Sequence, residues 1–597
     1  MHVTVHGSLF MIQLTNQQRF VADAQYLRSL GMRFHGIKCK GRCAACEQDA
    51  PRKRWWTEHA TLARMAATSW DEAAGAAFAR LEGQVRDSAA TDADVDTPCP
   101  EGLSYRGYQK AAILFARGRR GVLIGDEMGV GKTIEALGIA NDDRSFERVL
   151  VICPLGLRAN WAHEANRWLV RCQGPNAIRP VVAQSSDDVP GPDEPCVLVA
   201  NVERMLSHRL GTGEVRARGK RLLAALLAQR WDVLIVDEVH RLRTQHSEST
   251  FCVFGSPDKD LVKGHPMPAR PGLVSRARRV VLLTGTPIPN RTRDIWQAVH
   301  ALVPEEFPNH WSFLHRYCGA RRVTYPVRGG HGETRESWTF DGCTNSADLY
   351  LRLRASCMIR RLKGDVLSEL PAKTREIIVL PSDDIKAVVD RERDAWRQLG
   401  LIRSEGTAID YEQALDRLHG APCGVGPAAE IAEARQDLGL AKVPYLVQHL
   451  ESMRDQGIAK IVVFGHHHVV LEELHDRYPE SVLLYGPSSE REREDALHAF
   501  TCTKVPVFIG SIQAAGIGLN LQVASHVLFV EASWNHSDLV QAEDRVHRLG
   551  QREPVLVQHF VFDGTIEGDI LRRAIEKQAD ADKVLDAKAP GAPERQG

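Results

Sequence analysis

The run Gly125-Asp126-Glu127-Met128-Gly129-Val130-Gly131-Lys132-Thr133 puts glycines, a lysine and a hydroxyl where a triphosphate could use them. Gly129 and Gly131 would turn backbone N–H groups toward phosphate oxygens, Lys132 would neutralise the β and γ oxygens, and the Thr133 hydroxyl would hold Mg²⁺. An apolar run at 121–124 precedes this stretch and a helical pattern at 134–140 follows it, which is the context a phosphate cradle needs. The general phosphate-loop spacing asks for glycine where Asp126 stands, so on these residues alone an ordinary turn stays open. Further on, Val233-Leu234-Ile235-Val236 ends in Asp237 and Glu238. Carboxylates at the carboxyl end of a parallel strand are placed to serve a ligand. Asp237 is the candidate for steadying Mg²⁺ and Glu238 for polarising an attacking water. Cys153-Pro154 and Thr284-Gly285-Thr286-Pro287 end two further apolar runs, and each taken singly reads equally well as a Gly/Pro turn.

Residues of this kind need strands to carry them. Short apolar runs recur at 121–124, 149–152, 197–200, 233–236 and 280–283, and again at 461–464, 482–485, 505–509, 527–530 and 555–561, with helical stretches between them. That alternation predicts two α/β halves, each a parallel sheet covered by helices. The expected division is a small Cys-containing amino-terminal domain at 1–81, a solvated linker at 82–101, a first lobe at 102–304, a helical and Arg-rich connection without a clear strand series at 305–440, a second lobe at 441–578 and a fraying tail at 579–597.

With 597 residues, 43% hydrophobic and 25% charged, the chain is long enough for about four domains and is not a disordered tail. Lys plus Arg (76) balances Asp plus Glu (76), which excludes a globally basic, histone-like protein and leaves local basic surfaces open. Thirteen cysteines, an odd and sparse set, and a start without an apolar leader lead us to expect reduced thiols inside a cell. No apolar run approaches membrane-spanning length, so no membrane partner is expected.

Together the ordered motifs resemble those of superfamily 2 helicase-like ATPases in the SWI/SNF-related branch. Asp-Glu-Met-Gly-x-Gly-Lys-Thr in that branch accounts for Asp126. The similarity continues through Asp-Glu-x-His at 237–240, Thr-Gly-Thr-Pro at 284–287, the stretch Met358-Ile359-Arg360-Arg361-Leu362-Lys363-Gly364-Asp365-Val366-Leu367, Ser511 to Leu521, and Gln541 to Gln551. It implies two RecA-like lobes with helical insertions and a small amino-terminal domain, ATP and Mg²⁺ as cofactors, and ATP-dependent translocation on double-stranded DNA. It also implies a nucleotide site of Gln109, Asp126, Gly129, Val130, Gly131, Lys132, Thr133, Gly518 and Gln541. Arg545 and Arg548 resemble the second-lobe arginines that face the nucleotide. Three residues apart in an expected helix, they would project from nearly one face, and lobe closure would couple them to hydrolysis.

Contacts to DNA phosphates are expected from cleft-side loops, with Pro154, Asn160, Thr286, Ser511 and Gly516 as candidates. Trp161 and Trp534 read either as DNA contacts or as core aromatics, and the basic runs 216–221 and 276–279 either extend the track or are solvated surface. At the amino terminus, Phe34-His35 and Arg52-Lys53-Arg54-Trp55-Trp56 resemble the small HARP-type domain of annealing helicases, which implies branched or forked DNA as substrate. Cys39, Cys43 and Cys46 have metal-ligand spacing, with His35 or His59 as a fourth candidate. Three cysteines make an incomplete Zn²⁺ set, and free thiols on a loop are the other reading. The competing functions are a strand-separating DNA or RNA helicase and, from another class, a non-hydrolysing DNA-binding scaffold. The expected setting is a cytoplasmic monomer, nucleoid-associated if prokaryotic.

Overall fold

The computed structural model describes residues 1–6, 9–14, 27, 32–35, 54–57, 60–206, 213–244, 247–256, 260–262, 265–267, 270–289, 291–326, 334–398, 427–486, 488, 490–512, 519–533, 536–568 and 571. Five strands form an amino-terminal sheet: β1 (His2–His6), β2 (Leu9–Gln13), β3 (Arg33–His35), β4 (Arg54–Thr57) and β5 (Ser69–Trp70), in the order β3-β4-β2-β1-β5. Helices α1 (Ala60–Ala66) and α2 (Glu72–Asp87) cover it. The Asp71 side chain caps α2 by accepting the Ala74 N–H at 2.8 Å.

The first lobe is a seven-stranded sheet in the order β16-β6-β13-β10-β7-β9-β8, with every pairing parallel. Its strands are β6 (Gly121–Ile124), β7 (Arg148–Ile152), β8 (Val181–Val182), β9 (Cys196–Ala200), β10 (Trp231–Val236), β13 (Ala277–Leu283) and β16 (Met358–Ile359). Two hairpins are inserted, β11 (Asp260–Val262) with β12 (His265–Met267) and β14 (Arg321–Pro326) with β15 (Thr334–Thr339). Residues such as Leu123, Val151, Leu198, Leu234 and Leu282 are fully buried, as strands covered on both faces must be. Helices α3 (Gly107–Ala116), α4 (Lys132–Asp142), α5 (Arg158–Trp168), α6 (His310–Tyr317) and α7 (Ser346–Ser356) belong to this lobe.

A second parallel sheet, β17-β22-β21-β18-β20-β19, forms the other lobe. It comprises β17 (Lys373–Leu380), β18 (Ile461–Gly465), β19 (Ser481–Leu484), β20 (Val507–Ser511), β21 (His526–Phe529) and β22 (Val555–Phe562), with helices α8 (Lys386–Gln398), α9 (Pro427–Asp455) and α10 (His536–Glu543). No helix among the described residues is long and apolar enough to cross a membrane.

Two expectations need correction. The connection at 305–440 contains strands that complete both lobes: β16 pairs with β6, and β17 pairs with β22 along eight residues. Nor is 82–101 a solvated linker. Its first residues belong to α2, whose Leu81 and Val85 pack with Tyr350, Leu351 and Ala355 of α7. Val95 and Thr97 are buried, and Asp92 lies against the first turn of α3, so close that a Cβ on Gly107 would fall 2.1 Å from its Oδ1. A carboxylate there is favoured by the helix dipole.

Candidate nucleotide site between the lobes

At the carboxyl end of β6 the chain turns through Gly129 (φ +81°) and Gly131 (φ +97°) before α4 begins at Lys132. Only glycine takes such angles without strain, and the turn aims successive N–H groups and a helix amino terminus at one point. Lys132 Nζ donates to the carbonyls of Asp126 and Glu127 at 3.0 and 3.1 Å. Burial pushes its ammonium pKa down, against the pull of Glu238, Asp126 and Asp237. Gln109, buried in α3, accepts the Arg106 N–H at 2.9 Å, and a Cβ on Gly131 would lie 3.0 Å from its Nε2. Val130 is buried, and its carbonyl accepts the Tyr108 hydroxyl at 2.6 Å.

β10 delivers Asp237 and Glu238. Glu238 sits at φ +50°, a left-handed angle that costs energy for a residue with a Cβ and is concentrated at working sites. Asp237 Oδ2 accepts the Trp161 indole N–H at 2.8 Å. Burial and then the negative charge of Glu238 raise Asp237 to about 6. Burial works the same way on Glu238, but the His240 imidazole 3.3 Å away, then Lys132 and Arg545, hold it down at about 2. His240 Nδ1 also lies 3.0 Å from the Thr284 hydroxyl, so the carboxylate pair is linked to the loop after β13.

Asp126 explains itself in the structure. The β16–β6 ladder runs on past its last pair, with Gly125 N–H donating to Ile359 O at 2.8 Å and Glu127 N–H to Arg361 O at 3.0 Å. This register sets Arg361 opposite Asp126. The Arg361 guanidinium takes both Asp126 and Glu135 (2.7 Å), and the Arg361 backbone N–H donates to Asp126 Oδ1 at 2.9 Å. A glycine at 126 would leave that buried arginine without its main counter-charge.

The second lobe closes the site. Asp544, just past α10, accepts Lys363 Nζ at 2.7 Å, and Glu543 takes Lys373 at 2.8 Å and Arg375 at 2.6 Å. Arg548 lies over the phosphate loop, since a Cβ on Gly129 would come 2.9 Å from Arg548 Cβ. Arg545 is half-buried, and its main electrostatic partner is Glu238 of the first lobe. The two arginines are not helical as expected. α10 ends at Glu543, and Arg545–Gly550 is a run of tight turns. The Gln551 side chain holds those turns by donating to the carbonyls of Ala524 (2.7 Å), Gln522 (3.1 Å) and Val546 (3.3 Å).

A triphosphate with its divalent cation fits these residues. The glycine turn leaves no room for a Cβ at 129 and only a tight fit at 131, two cationic side chains flank two carboxylates, and Gln541 Nε2 is buried with no hydrogen-bond partner among the described residues. Thr133, at the start of α4, and Asp237 are the residues that would hold the cation.

Gly516, Gly518, Trp534, Cys39, Cys43, Cys46 and His59 lie outside the described residues, as does the side chain of His35. Pro154, Thr286 and Ser511 are buried at the ends of β7, β13 and β20, while Asn160 is exposed on α5. Trp161, left open as a DNA contact, is 1% exposed and positions Asp237 instead. The basic run 276–279 opens β13, at the end of the sheet away from Thr284, so it does not extend a cleft-side track. Three roles were missed from sequence: Trp161 on Asp237, Glu135 with Arg361, and Lys363 across the lobes.

Two parallel α/β lobes that bring a phosphate loop, paired carboxylates and second-lobe arginines into one cleft define a helicase-like nucleotide-binding core. The chain belongs to the SNF2-related family: the SNF2-related domain matches residues 9–271 and 273–390, and the helicase conserved C-terminal domain matches 441–550. It is 30% identical over 474 residues to the SWI/SNF-related matrix-associated actin-dependent regulator of chromatin subfamily A-like protein 1 of Xenopus tropicalis, covering 78% of this chain and 43% of the relative. It is 31% identical over 473 residues to the human DNA annealing helicase and endonuclease ZRANB3, covering 77% and 38%. The chain thus spans about two fifths of the length of these curated relatives. A solved SWI2/SNF2 ATPase core of Sulfolobus solfataricus in complex with dsDNA aligns over 81% of this chain and 94% of that one at 19% identity and a TM-score of 0.34.

Proposed function

We propose that the chain is a DNA-dependent ATPase that moves along double-stranded DNA and acts on branched or forked DNA, re-annealing strands or remodelling forks in repair. The observation that carries this reading is Arg545 of the second lobe set against Glu238, beside Asp237 and Lys132 of the first. ATP with Mg²⁺ supplies a transferable γ-phosphoryl group. Lys132 and the loop N–H groups would hold its oxygens, Thr133 and Asp237 would hold the cation, and Glu238, kept ionised at neutral pH, would orient the attacking water. Arg545 and Arg548 reach the developing charge only when the lobes are together, so hydrolysis and lobe closure become one event. Such a cycle ratchets two lobes along a backbone held by cleft-side loops, among them those of Pro154, Asn160, Thr286, Ser511 and Gly516. The DNA substrate and the re-annealing are supported by the relative named a DNA annealing helicase, and the fork preference by the resemblance of Phe34-His35 and Arg52-Lys53-Arg54-Trp55-Trp56 to the HARP-type domain. A cytoplasmic, monomeric protein, nucleoid-associated in a prokaryote, belongs to the same reading. Zn²⁺ on Cys39, Cys43 and Cys46 is tested by metal analysis of the purified chain, one equivalent supporting it and none refuting it.

The test is steady-state ATP hydrolysis with no nucleic acid, single-stranded DNA, duplex, forked DNA and RNA at one salt concentration. Stimulation by duplex or fork is expected, with turnover lost in Lys132→Ala and in Glu238→Gln, the latter still binding nucleotide. Stimulation by single strands or RNA alone would replace the translocase with a strand-separating helicase. No hydrolysis under any condition would leave a scaffold.

A further inference from the structure

α6 fills its core face with Phe313, Leu314 and Tyr317, all buried, yet carries Trp311 on the opposite side with 54% of its surface exposed. Beside it stands the β14–β15 hairpin, whose Trp338 is 36% exposed. His315, one helical turn after Trp311, joins the two: its ring lies 4.6 Å from that of Trp311 and 4.5 Å from that of Trp338. Phe340 backs them at 5.5 Å from Trp311 and 5.3 Å from His315. Arg322, directly across the hairpin from Trp338, places its guanidinium 5.2 Å from the indole centroid and 3.6 Å from the Glu336 carboxylate. The result is a continuous aromatic ridge with Arg322 at its edge, and Trp311 lies outside the core face of its helix.

The ridge is also fixed to the nucleotide-binding lobe. Arg291, five residues after Thr286, donates to Asp341 at the foot of β15 at 2.8 Å with both side chains largely buried. The hairpin's two feet meet where Gly319 and Gly342 approach so closely that a Cβ on Gly319 would fall 2.8 Å from Gly342 Cα. A rigid, arginine-edged aromatic surface suits flat, anionic polymers with exposed rings. Unpaired bases stack on such side chains whatever their sequence, while guanidinium groups hold the backbone. Paired bases offer no free face.

We propose that Trp311 and Trp338 form a stacking platform for unpaired bases of single-stranded DNA, held by the first lobe next to the duplex track. This rests on the DNA reading above for its setting, though the platform itself is tested by single strands alone. The experiment measures binding of the full chain to a fluorescent oligothymidylate and to a blunt duplex at low salt, for wild type, Trp311→Ala/Trp338→Ala and Trp311→Phe/Trp338→Phe. The alanine pair should weaken single-strand binding about tenfold or more, and the phenylalanine pair should restore most of it. Both side chains are exposed, so a melting temperature within about 2 °C of wild type will show that each variant folds. Unchanged oligothymidylate affinity in the folded alanine pair overturns the platform, as does a wild type that does not bind the oligomer. Loss of self-association in that pair with DNA affinity unchanged would reassign the ridge to contacts between copies. A wild type that binds the oligomer but is not stimulated by any DNA would refute the translocase and leave the platform standing.

Discussion

Arg361→Met should do more damage than any exposed arginine substitution, because of what it leaves behind. Arg361 is 1% exposed, and its two carboxylate partners, Asp126 and Glu135, are both 0% exposed. Burial, and then the charge of Asp126, push Glu135 up from the ordinary carboxylate range. Asp126, which accepts from both the backbone N–H and the guanidinium of Arg361, is the carboxylate that Arg361 engages most closely. Removing one partner of a buried pair costs about 3–5 kcal/mol, because the other is left charged without water. The assay is amide hydrogen exchange across β6 and α4, which reports local opening without assuming that the whole chain unfolds as one unit. A loss of about 3 kcal/mol accelerates exchange on the order of a hundredfold. Adding Asp126→Asn to Arg361→Met should recover a large part of that, since it removes the stranded charge. Arg361→Lys should fall between, keeping the charge but not the fork that spans two carboxylates. Exchange unchanged in Arg361→Met, or a double variant no better than the sum of the singles, would refute the reasoning.

Two further outcomes follow from the geometry. Gly129→Ala forces a side chain into φ +81° and sets its Cβ 2.9 Å from Arg548 Cβ, so ATP hydrolysis should fall about tenfold or more, while Gly364→Ala, which meets nothing within 4 Å, should leave it unaltered. Equal rates would mean that the lobes do not meet there during turnover. Glu392, buried in the second lobe, is raised to about 7 from 4.5, by burial first and then by the negative charge of Glu567. The folded chain therefore holds a proton that the unfolded chain has released, so this stability is complete below about 4.5 and is lost as pH rises through about 7. Glu392→Gln should therefore melt higher than wild type at pH 8, by up to about 3 kcal/mol of stability, with the gap closing toward pH 5. A gap that widens on acidification would reverse the assignment.

How much of this was legible depended on burial. Strands β6, β7, β9, β10 and β13 announce themselves because both faces are covered and nearly every residue is apolar. β17 does not. As the edge of its sheet it is mostly exposed and reads Lys-Thr-Arg-Glu before its apolar end, the charged dress that edges wear against mispairing. β16 is two residues long and is defined only by its partner. The continuation of α2 did leave a signal: Phe78, Leu81 and Val85 recur at helical spacing and are all buried, but the acidic residues after them drew the reading toward a linker. At the site, the phosphate loop was legible because its chemistry is local. Trp161 on Asp237 and Glu543 under Lys373 join residues far apart in the chain, and no local pattern encodes such pairs. The end of α10 was hidden for the same reason, since a side chain eight residues on, Gln551, fixes the turns that carry Arg545 and Arg548.

One short stretch, 358–363, meets every part that has to act together. Ser88 O, at the end of α2, accepts from Arg354 at 3.2 Å and from the Arg360 N–H at 3.4 Å. The Arg360 guanidinium donates to Gly125 O at 2.9 Å and to Gly285 O at 3.4 Å, tying the phosphate loop to the loop after β13. Arg361 holds Asp126, and Lys363 joins Glu127 of the loop at 2.8 Å to Asp544 of the second lobe at 2.7 Å. Most of these groups are buried, so each bond that breaks must be replaced or its cost of about 1–3 kcal/mol borne. The amino-terminal domain therefore cannot shift along α7, nor the second lobe swing away from Lys363, without disturbing the backbone that shapes the phosphate cradle. Packed contacts of this kind switch between discrete arrangements and do not stretch. That property is what a machine needs if opening and closing two lobes is to make and unmake one nucleotide site.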